Sequence, residues 1–374
     1  MSQGVWRYTH RLRIACAVWF AACDASGSDA ITPDTSGDSL GEVAEAVLAP
    51  VDVAFLLPLD TLREAGLRAA DVAAHGTILP RDVFDRVPAL TRVDEPDALY
   101  AALTVVAVRL DPCFREGGAT ALCEAQVRLV LQPVIDSEAG PVTRDATIHA
   151  FHTVPSEALL RLVSDLANLR RAHGGDGAIG ARPDAVAAAD LLRGHIGARR
   201  LSRVTFMAVH ASDEAWTFGS LVRDPATGDL RPSGIPGVPA RAEQHLTSTG
   251  HRETLDATIL PAPVLEPALA PLLSARERAS LDASGQAEAR AALARILDPA
   301  EHDTATLDCA SCHVATGAAA FLAREPGVPP EGVYSDTRNQ RMFGYFGALP
   351  SISPRVVAEV AATLAFIATP QTGR

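Results

Sequence analysis

The sequence predicts an α+β protein, with a mixed α/β region over residues 50–270 followed by a helical region over residues 271–374. β-Branched and alternating segments favour strands in the first region, and apolar residues at helical spacing dominate the second. A proline-bearing linker over residues 261–271 lies at the junction. With 374 residues, 48% hydrophobic and 21% charged, the chain has a globular composition and a length typical of two or three domains.

The individual elements follow from local patterns. Residues 103–110 and 147–154 have strand-like composition, and residues 126–134 alternate apolar and polar side chains. Ser156 begins a helix that ends at Gly174-Gly175. Further strands are predicted over 203–209, 215–222 and 254–260, and further helices from Asp184 to Gly194, over 286–297 and from Ser353, with Pro354 at the first helical position.

Residues 1–22 have the organisation of an export signal. Three arginines without an acid precede an apolar run of nine residues, 14–22, which is far shorter than the roughly 18 residues of a membrane-spanning helix. The run ends in Phe20-Ala21-Ala22-Cys23, which resembles the lipobox of bacterial lipoproteins, with phenylalanine where a leucine-like residue is usual. An ordinary signal peptide that is cut nearby is the alternative.

The lipobox resemblance implies that Cys23 is lipidated and holds the mature protein on a membrane of the bacterial envelope, on the periplasmic side or at the outer membrane. Residues 23–49 are rich in Ser, Asp, Gly and Thr, cannot bury a core and are predicted to be a flexible tether. The loss of residues 1–22 changes the formal net charge from −12 to −15. The chain has no lysine and no basic run, so nucleic acid is not an expected partner.

The six cysteines divide by their positions. One lies in the signal, Cys23 is the lipidation site, and two belong to a C-x-x-C-H motif. Cys113 and Cys123 remain, separated by a short loop with a Gly-Gly pair. We expect these two to form a disulfide, because an exported protein folds in an oxidising compartment. Two free buried thiols are the alternative.

The motif Cys309-Ala310-Ser311-Cys312-His313 has the spacing for covalent attachment of haem. Two thiols three positions apart can form thioethers with the two vinyl groups of one haem, and the adjacent histidine then points its imidazole at the iron. A thioredoxin-like dithiol has a βαβ context, and a zinc site has a second Cys or His pair; neither accompanies this motif. The sequence therefore predicts haem c, with iron bound by His313.

On these residues, the C-terminal region resembles a monohaem class I cytochrome c domain over roughly residues 275–374. The resemblance rests on CASCH, a helix before it, a methionine after it and a closing helix. It implies a small all-α domain wrapped round the haem. The helix before the motif ends about eleven residues before Cys309, farther than the family pattern leads us to expect. The whole chain resembles envelope lipoproteins that join a domain of unknown role to a cytochrome c module.

The sixth iron ligand decides between electron transfer and chemistry on a small molecule. Met342, 29 residues after His313, is the first candidate, because the glycines and aromatic residues around it suit a position against the haem. A core packing role is its alternative. His302, seven residues before Cys309, is the rival ligand, and an open or exchangeable site is the third possibility.

Other residues receive weaker assignments. Arg338 and Arg341 could pair with haem propionates, since guanidinium groups match carboxylates. His149 and His152 are three positions apart on a predicted strand and therefore point to opposite faces, a poor geometry for one metal, so both are interpreted as structural. Trp216 is interpreted as a core residue.

The sequence thus predicts an exported, lipid-anchored, monohaem c-type cytochrome that carries single electrons at the bacterial envelope. Its expected partners are the membrane and an unidentified redox protein, which the acidic charge would help to steer. One alternative is a haem enzyme or sensor with an open distal site that acts on peroxide or a small gas. Another is a lipoprotein in which residues 50–270 bind a ligand or partner and the haem is structural or sensing.

Overall fold

The computed structural model describes residues 47–91, 95–115, 123–210, 215–238, 241–248, 254–262, 266–304, 306–324 and 332–369. The predicted export signal (1–22), the lipidation site Cys23 and most of the predicted tether (23–49) lie outside the described residues. Within these ranges, no helix combines the length and the apolar character that are needed to cross a membrane.

Fourteen strands are present in the described part of the chain. Most of them belong to one sheet, and two pairs form separate hairpins. They are β1 (Ala54–Leu56), β2 (Val72–Ala73), β3 (Gly76–Thr77), β4 (Leu103–Arg115), β5 (Cys123–Ser137), β6 (Gly140–Thr143), β7 (Ala146–Thr153), β8 (Leu201–His210), β9 (Ala215–Arg223), β10 (Leu230–Pro232), β11 (Glu243–Ser248), β12 (Ala257–Leu260), β13 (Phe343–Phe346) and β14 (Leu349–Ile352).

A ten-stranded antiparallel sheet forms the centre of the fold. Its order is β1-β4-β5-β7-β8-β9-β11-β12, with β6 paired to β5 and β10 paired to β9. The predicted strands over 103–110, 126–134, 147–154, 203–209 and 215–222 are confirmed as parts of β4, β5, β7, β8 and β9. Neighbours in sequence are neighbours in the sheet through its middle, which is the usual result of short antiparallel connections.

The helices flank the sheet and close the C-terminal part of the chain. Short 3₁₀ turns cover Ala198–Arg200, Pro267–Leu273 and Val333–Ser335. The α-helices are α1 (Pro50–Val53), α2 (Leu62–Ala65), α3 (Arg81–Phe84), α4 (Pro88–Thr91), α5 (Pro96–Ala102), α6 (Ser156–His173), α7 (Ala185–Arg193), α8 (Ala275–Ser280), α9 (Ala283–Leu297), α10 (Cys309–Ala323) and α11 (Pro354–Ala368).

Local sequence explains the ends of the longer helices. Helix α6 ends at Gly174, whose φ of 70° lies in the left-handed region that glycine adopts without strain. The side chain of Ser353 accepts a hydrogen bond from the backbone N–H of Val356 and caps α11, whose first residue is Pro354, as the sequence predicts.

The two faces of the sheet have different covers. Helix α6 buries Leu159, Leu162 and Leu166 in an apolar cluster with strands β4, β5 and β7. Helices α9 and α10 share a second cluster with Met207 and Phe218 of β8 and β9. The strand register places Met207 and Phe218 on one face, which the C-terminal segment covers, and Phe343 and Val356 of that segment join the first cluster.

The predicted small all-α C-terminal domain is wrong. The C-terminal region contains the β13–β14 hairpin, and its residues Phe343, Tyr345 and Val356 belong to the same apolar cluster as the sheet. Residues Glu45–Arg374 form one compact unit. The physical reason is that strands β8 and β9 carry large apolar side chains on both faces, so the second face needs a cover, which the C-terminal helices provide.

The predicted disulfide is present between Cys113 and Cys123. It joins the end of β4 to the beginning of β5, where Arg115 pairs with Cys123 and Phe114 pairs with Glu124. The bond therefore links the two longest strands of the sheet near one end of each, as the cysteine positions indicate.

Candidate functional site

The C-x-x-C-H motif forms the first turn of helix α10. Asp308 is the N-cap, and its side chain accepts a hydrogen bond of 2.9 Å from the backbone N–H of Ser311. Cys309 and Cys312 are three residues apart on this helix and therefore lie on one side of it. Both thiols are free and line the same cavity.

His313 is held in one orientation. Its Nδ1 lies 2.6 Å from the carbonyl oxygen of Gln340, and because a carbonyl only accepts, Nδ1 carries the proton. The ring also contacts Phe218, with 4.9 Å between ring centroids. Burial lowers the pKa of His313, so the imidazole is neutral and its Nε2 lone pair is free to bind a metal.

The cavity lies between the second face of the sheet and the C-terminal segment. It has about 1110 Å³ of empty volume, counting the space open to solvent. Sites for cofactors and other small ligands are concave and lined mainly by apolar and aromatic side chains. Strands β4, β5, β7, β8 and β9 form one wall, and the C-x-x-C-H turn, residues 342–343 and helix α11 form the other.

The sheet wall is ordered by the strand register. One row across the strands consists of Val130, His149, Thr205 and Ser220, all of which line the cavity. A second row places Thr147, Met207 and Phe218 beside His313, and a third places Arg128, Phe151 and Arg203 at the other end. The wall therefore changes from apolar near His313 to cationic at the far end.

Arginine side chains make the far end of the cavity positive. Arg109 pairs with Glu359 and with Asp111, and Arg355 pairs with Glu359 at 2.8 Å. Arg128 has no hydrogen bond or ion pair with any residue that the structure describes, and its guanidinium packs 4.6 Å from the centre of the Phe151 ring. Burial, followed by the charge of Arg109, lowers the pKa of Arg128 to about 10, so this side chain remains charged at neutral pH.

The two thiols are in their protonated form. Burial, followed by the charges of Asp308 and Cys312, raises the pKa of Cys309 to about 12. Burial also raises the pKa of Cys312 to about 12. A reactive or metal-binding thiolate normally has a lowered pKa, so the protein environment alone does not activate this pair.

Met342 lines the cavity beside the motif. Its Sδ lies 3.6 Å from Sγ of Cys312, and it follows Gln340, the residue that holds His313, by two positions. Met342 is therefore next to the attachment turn, on the same wall as His313. Its assignment as the sixth ligand stays a prediction.

His302 has a different environment. Its Nε2 lies 3.1 Å from Oε1 of Glu266, which also accepts hydrogen bonds from Arg295. Among the described residues, it is not part of the cavity wall. The structure thus brings Cys309, Cys312, His313 and Met342 together and leaves this alternative ligand outside the group.

The arginines and the tryptophan that the sequence singles out lie away from the cavity. Arg338 is exposed and pairs with Asp336, and Arg341 packs over Trp216 and pairs with Asp145, so neither belongs to the cavity wall. Trp216 is 2% exposed and is a core residue, as predicted.

Sequence reasoning missed His149, Met207 and the arginines of the sheet wall. His152 is buried, and one of its ring nitrogens lies 3.2 Å from the carbonyl oxygen of Ile78, which fits its structural interpretation. His149, on the opposite face, lines the cavity instead. The period-two pattern places the two histidines on opposite faces, but only the tertiary structure shows that the His149 face meets the C-x-x-C-H turn.

His149 is neutral in this environment. Burial is the largest influence and lowers its pKa well below the usual value, and the charges of Arg128 and His313 lower it further. His149 and His313 line the same cavity. A neutral imidazole keeps one lone pair for a metal or a proton.

A pair of hydrogen bonds fixes the C-terminal hairpin to the sheet. The Gln132 side chain donates to the carbonyl oxygen of Tyr345 at 3.0 Å and accepts from its N–H at 2.8 Å. Gly344 has φ of 137°, and a Cβ there would lie 2.5 Å from Oε1 of Gln132, so only glycine fits. This contact sets the position of the 340–345 segment, which carries Met342 and the carbonyl that holds His313.

We expect Gln132→Leu to lower the free energy of unfolding by about 2–3 kcal/mol, because it leaves buried backbone groups of Tyr345 without this partner. Denaturant unfolding of the full chain measures the change. Gln126→Leu is the matched control, because Gln126 lies on the same strand and is 2% exposed, but among the described residues its side chain bonds only to Glu124, two residues away. Equal losses in both variants would contradict a specific role for Gln132.

No protein-family model, curated protein or solved structure matches this chain. Within the described residues, no group of three or more His, Cys, Asp or Glu side chains is arranged to hold a metal ion. A haem iron takes four ligands from its porphyrin and needs only axial ligands from the protein. The role of this site therefore has to follow from its own residues.

Proposed function

We propose that this protein is a monohaem c-type cytochrome that carries single electrons at a bacterial envelope. The observation that carries the proposal is the C-x-x-C-H turn, which presents both free thiols to a cavity while His313 keeps Nε2 free and is oriented through Nδ1. A proximal histidine whose other nitrogen donates to a carbonyl is the arrangement that orients an imidazole ligand.

The residues fit a covalently bound haem. Cys309 and Cys312 would form its two thioethers, and His313 would bind the iron. Arg128 replaces Arg338 and Arg341 as the candidate partner of a propionate, because it is a half-buried cation on the cavity wall without an ion pair among the described residues. When bound, haem c supplies a one-electron iron couple.

The chain itself excludes water and tunes the charge of the site. Phe218, Met207 and Phe151 give the cavity apolar walls, and the arginine row favours negative charge at the far end. A second cavity, of about 1170 Å³ when the space open to solvent is counted, is also lined by Arg109, Arg128, Arg355 and Glu359. These four side chains line both cavities, and we propose the second cavity as the approach for a redox partner.

Optical spectra of the full-length protein, oxidised and reduced, before and after addition of carbon monoxide, test this function. The proposal predicts a low-spin haem spectrum that is reversible over one electron in a potentiometric titration and is indifferent to carbon monoxide. A protein that holds no haem, or a haem that cannot be cycled between two oxidation states, would contradict it.

A second candidate function rests on the same cavity. His149 and Arg128 place an imidazole and a cation in the space beside the C-x-x-C-H turn. Such a pair suits proton and charge movement during reaction of a small oxidant such as peroxide. A high-spin spectrum with rapid carbon monoxide binding would favour this haem enzyme over the electron carrier.

We also propose that Cys23 is lipidated and that the protein is held on the envelope membrane through residues 23–49. Cys23→Ser is expected to move the protein from the membrane fraction to the soluble fraction, because a lipid chain is the anchor in this proposal. Fractionation followed by immunoblotting measures the distribution. A Cys23→Ser protein that stays with the membrane would contradict lipid anchoring, and Ser26→Ala is the control that should leave the distribution unchanged.

A further inference from the structure

We propose that His149 of strand β7 is the second axial ligand of the haem iron, opposite His313. The inference rests on the proposed function, since it requires a haem attached at the C-x-x-C-H turn. It adds a ligand from the sheet, outside the region of the chain that carries the motif.

The strand register places His149 suitably for this role. His149 pairs with Val130 and Thr205 across the sheet and lines the cavity together with Cys309, Cys312 and His313. The His313 ring packs on Phe218. Phe218 lies two strands away from His149 across the sheet and two residues along β9 from the position level with His149. Strand spacings of about 4.8 Å and a two-residue rise of about 6.8 Å put the Cα atoms of His149 and Phe218 roughly 12 Å apart. The two imidazoles therefore enter the cavity from separate walls.

His149 also lacks another explanation for its polar atoms. Its contact within the described residues is with the Phe151 ring, at 6.5 Å between centroids, and neither ring nitrogen has a hydrogen-bond partner there. Three other histidines each have one ring nitrogen hydrogen-bonded: His152 to a backbone carbonyl, His245 to Thr217 and His302 to Glu266. His149 is half-buried, and an imidazole nitrogen that faces the cavity without a protein partner is available to bind a metal.

The two sulfur candidates are better explained by packing. Met342 lies 3.6 Å from Cys312 and is beside the attachment turn, so it shares a wall with His313. Met207 is 3% exposed and belongs to the apolar cluster around Phe218. Methionine commonly fills such irregular space. His149 is the member of the three whose nitrogen atoms face the cavity without another role.

A second histidine ligand has a functional consequence. It gives a lower reduction potential than a methionine, and two firm ligands leave no position for a small molecule. Iron bound by both His149 and His313 would also connect the sheet to the C-terminal segment. This is consistent with an electron carrier whose haem is enclosed by the whole fold.

The test compares full-length haem-loaded variants by optical and electron paramagnetic resonance spectroscopy with carbon monoxide binding. His149→Ala is expected to convert the low-spin spectrum to high-spin and to permit carbon monoxide binding, and added imidazole is expected to restore the low-spin spectrum. His149→Met, which keeps a ligand side chain, is expected to stay low-spin with a higher potential. His152→Gln, on the same strand but the opposite face, and Met207→Leu are the controls that should keep the wild-type spectrum.

The possible outcomes distinguish the identity of the ligand from the function of the protein. A low-spin, carbon-monoxide-indifferent His149→Ala protein, or an unchanged potential in His149→Met, overturns the assignment of His149 while the cytochrome proposal stands. A Met342→Leu protein that becomes high-spin also overturns it, in favour of methionine. A wild-type protein without covalent haem contradicts the proposed function itself.

Discussion

Replacing both Cys309 and Cys312 by alanine is expected to abolish covalent attachment of haem, whereas either single replacement is expected to leave one thioether. The reason is geometric: both thiols lie in the first turn of α10 and line the same cavity, so each can reach one vinyl group of a single haem. Haem staining after denaturing electrophoresis measures attachment, and the shift of the reduced absorption band counts the unsaturated vinyl groups.

The matched control removes the other cysteine pair. Cys113→Ser with Cys123→Ser breaks the disulfide between β4 and β5, whose cysteines are not among the described residues that line the cavity at α10, and should leave haem covalently attached. Haem that survives denaturation in the Cys309→Ala/Cys312→Ala protein would contradict attachment at the motif. Loss of haem from the disulfide variant alone would point to a different attachment site.

Glu359→Gln is expected to lower the free energy of unfolding by about 3 kcal/mol at neutral pH, because removing one member of a buried ion pair leaves charge uncompensated. Glu359 lies between Arg109 and Arg355 in the wall shared by the two cavities. Burial alone would raise the pKa of Glu359, but the charges of Arg109, Arg355 and Arg128 outweigh it and lower the pKa to about 2.

The lowered pKa also sets the pH dependence. A carboxylate whose pKa is lower in the folded state stabilises the protein above its unfolded pKa, and this stabilisation is lost as the pH falls towards the folded value. The difference in the free energy of unfolding between wild type and Glu359→Gln should therefore have its full value at pH 7 and decrease between about pH 4.5 and pH 2. Denaturant unfolding of both proteins across that range measures it.

An exposed ion pair provides the control for Glu359. Glu157 and Arg161 are four residues apart on α6, 3.5 Å apart and largely exposed, so Glu157→Gln should change the free energy of unfolding by less than about 1 kcal/mol. We expect that Glu359 and its two arginines stabilise the fold. This would be contradicted if Glu359→Gln and Glu157→Gln had equal free energies of unfolding, or if the effect of Glu359→Gln did not vary with pH.

Most local elements could be predicted from the sequence. Strands β4, β5, β7, β8 and β9 carry β-branched residues in short runs. The sequence also shows the end of α6 through its C-cap Gly174 and the beginning of α11 through its N-cap Ser353, followed by Pro354. The disulfide followed from the positions of Cys113 and Cys123 in an exported chain. These features depend on residues that are close in sequence, so a single sequence contains their signal.

The association of the C-terminal segment with the sheet could not be predicted in the same way. It depends on Gln132 meeting Tyr345 and on Met207 and Phe218 meeting α10, contacts between positions that are far apart in the sequence. For the same reason, His149 could be placed on a strand face but not in a cavity. Local patterns identify faces, whereas tertiary packing decides what each face contacts.

Whether the chain carries covalent haem is decided by the intact mass of the denatured full-length wild-type protein, produced in a host with c-type haem maturation. We expect the mass of the mature polypeptide, with the lipid that we propose at Cys23, plus one haem, because the chain has one C-x-x-C-H motif and its two thiols line one cavity. A mass without haem, from a chain exported under conditions in which a known c-type cytochrome is matured, would contradict the assignment of this protein as a cytochrome.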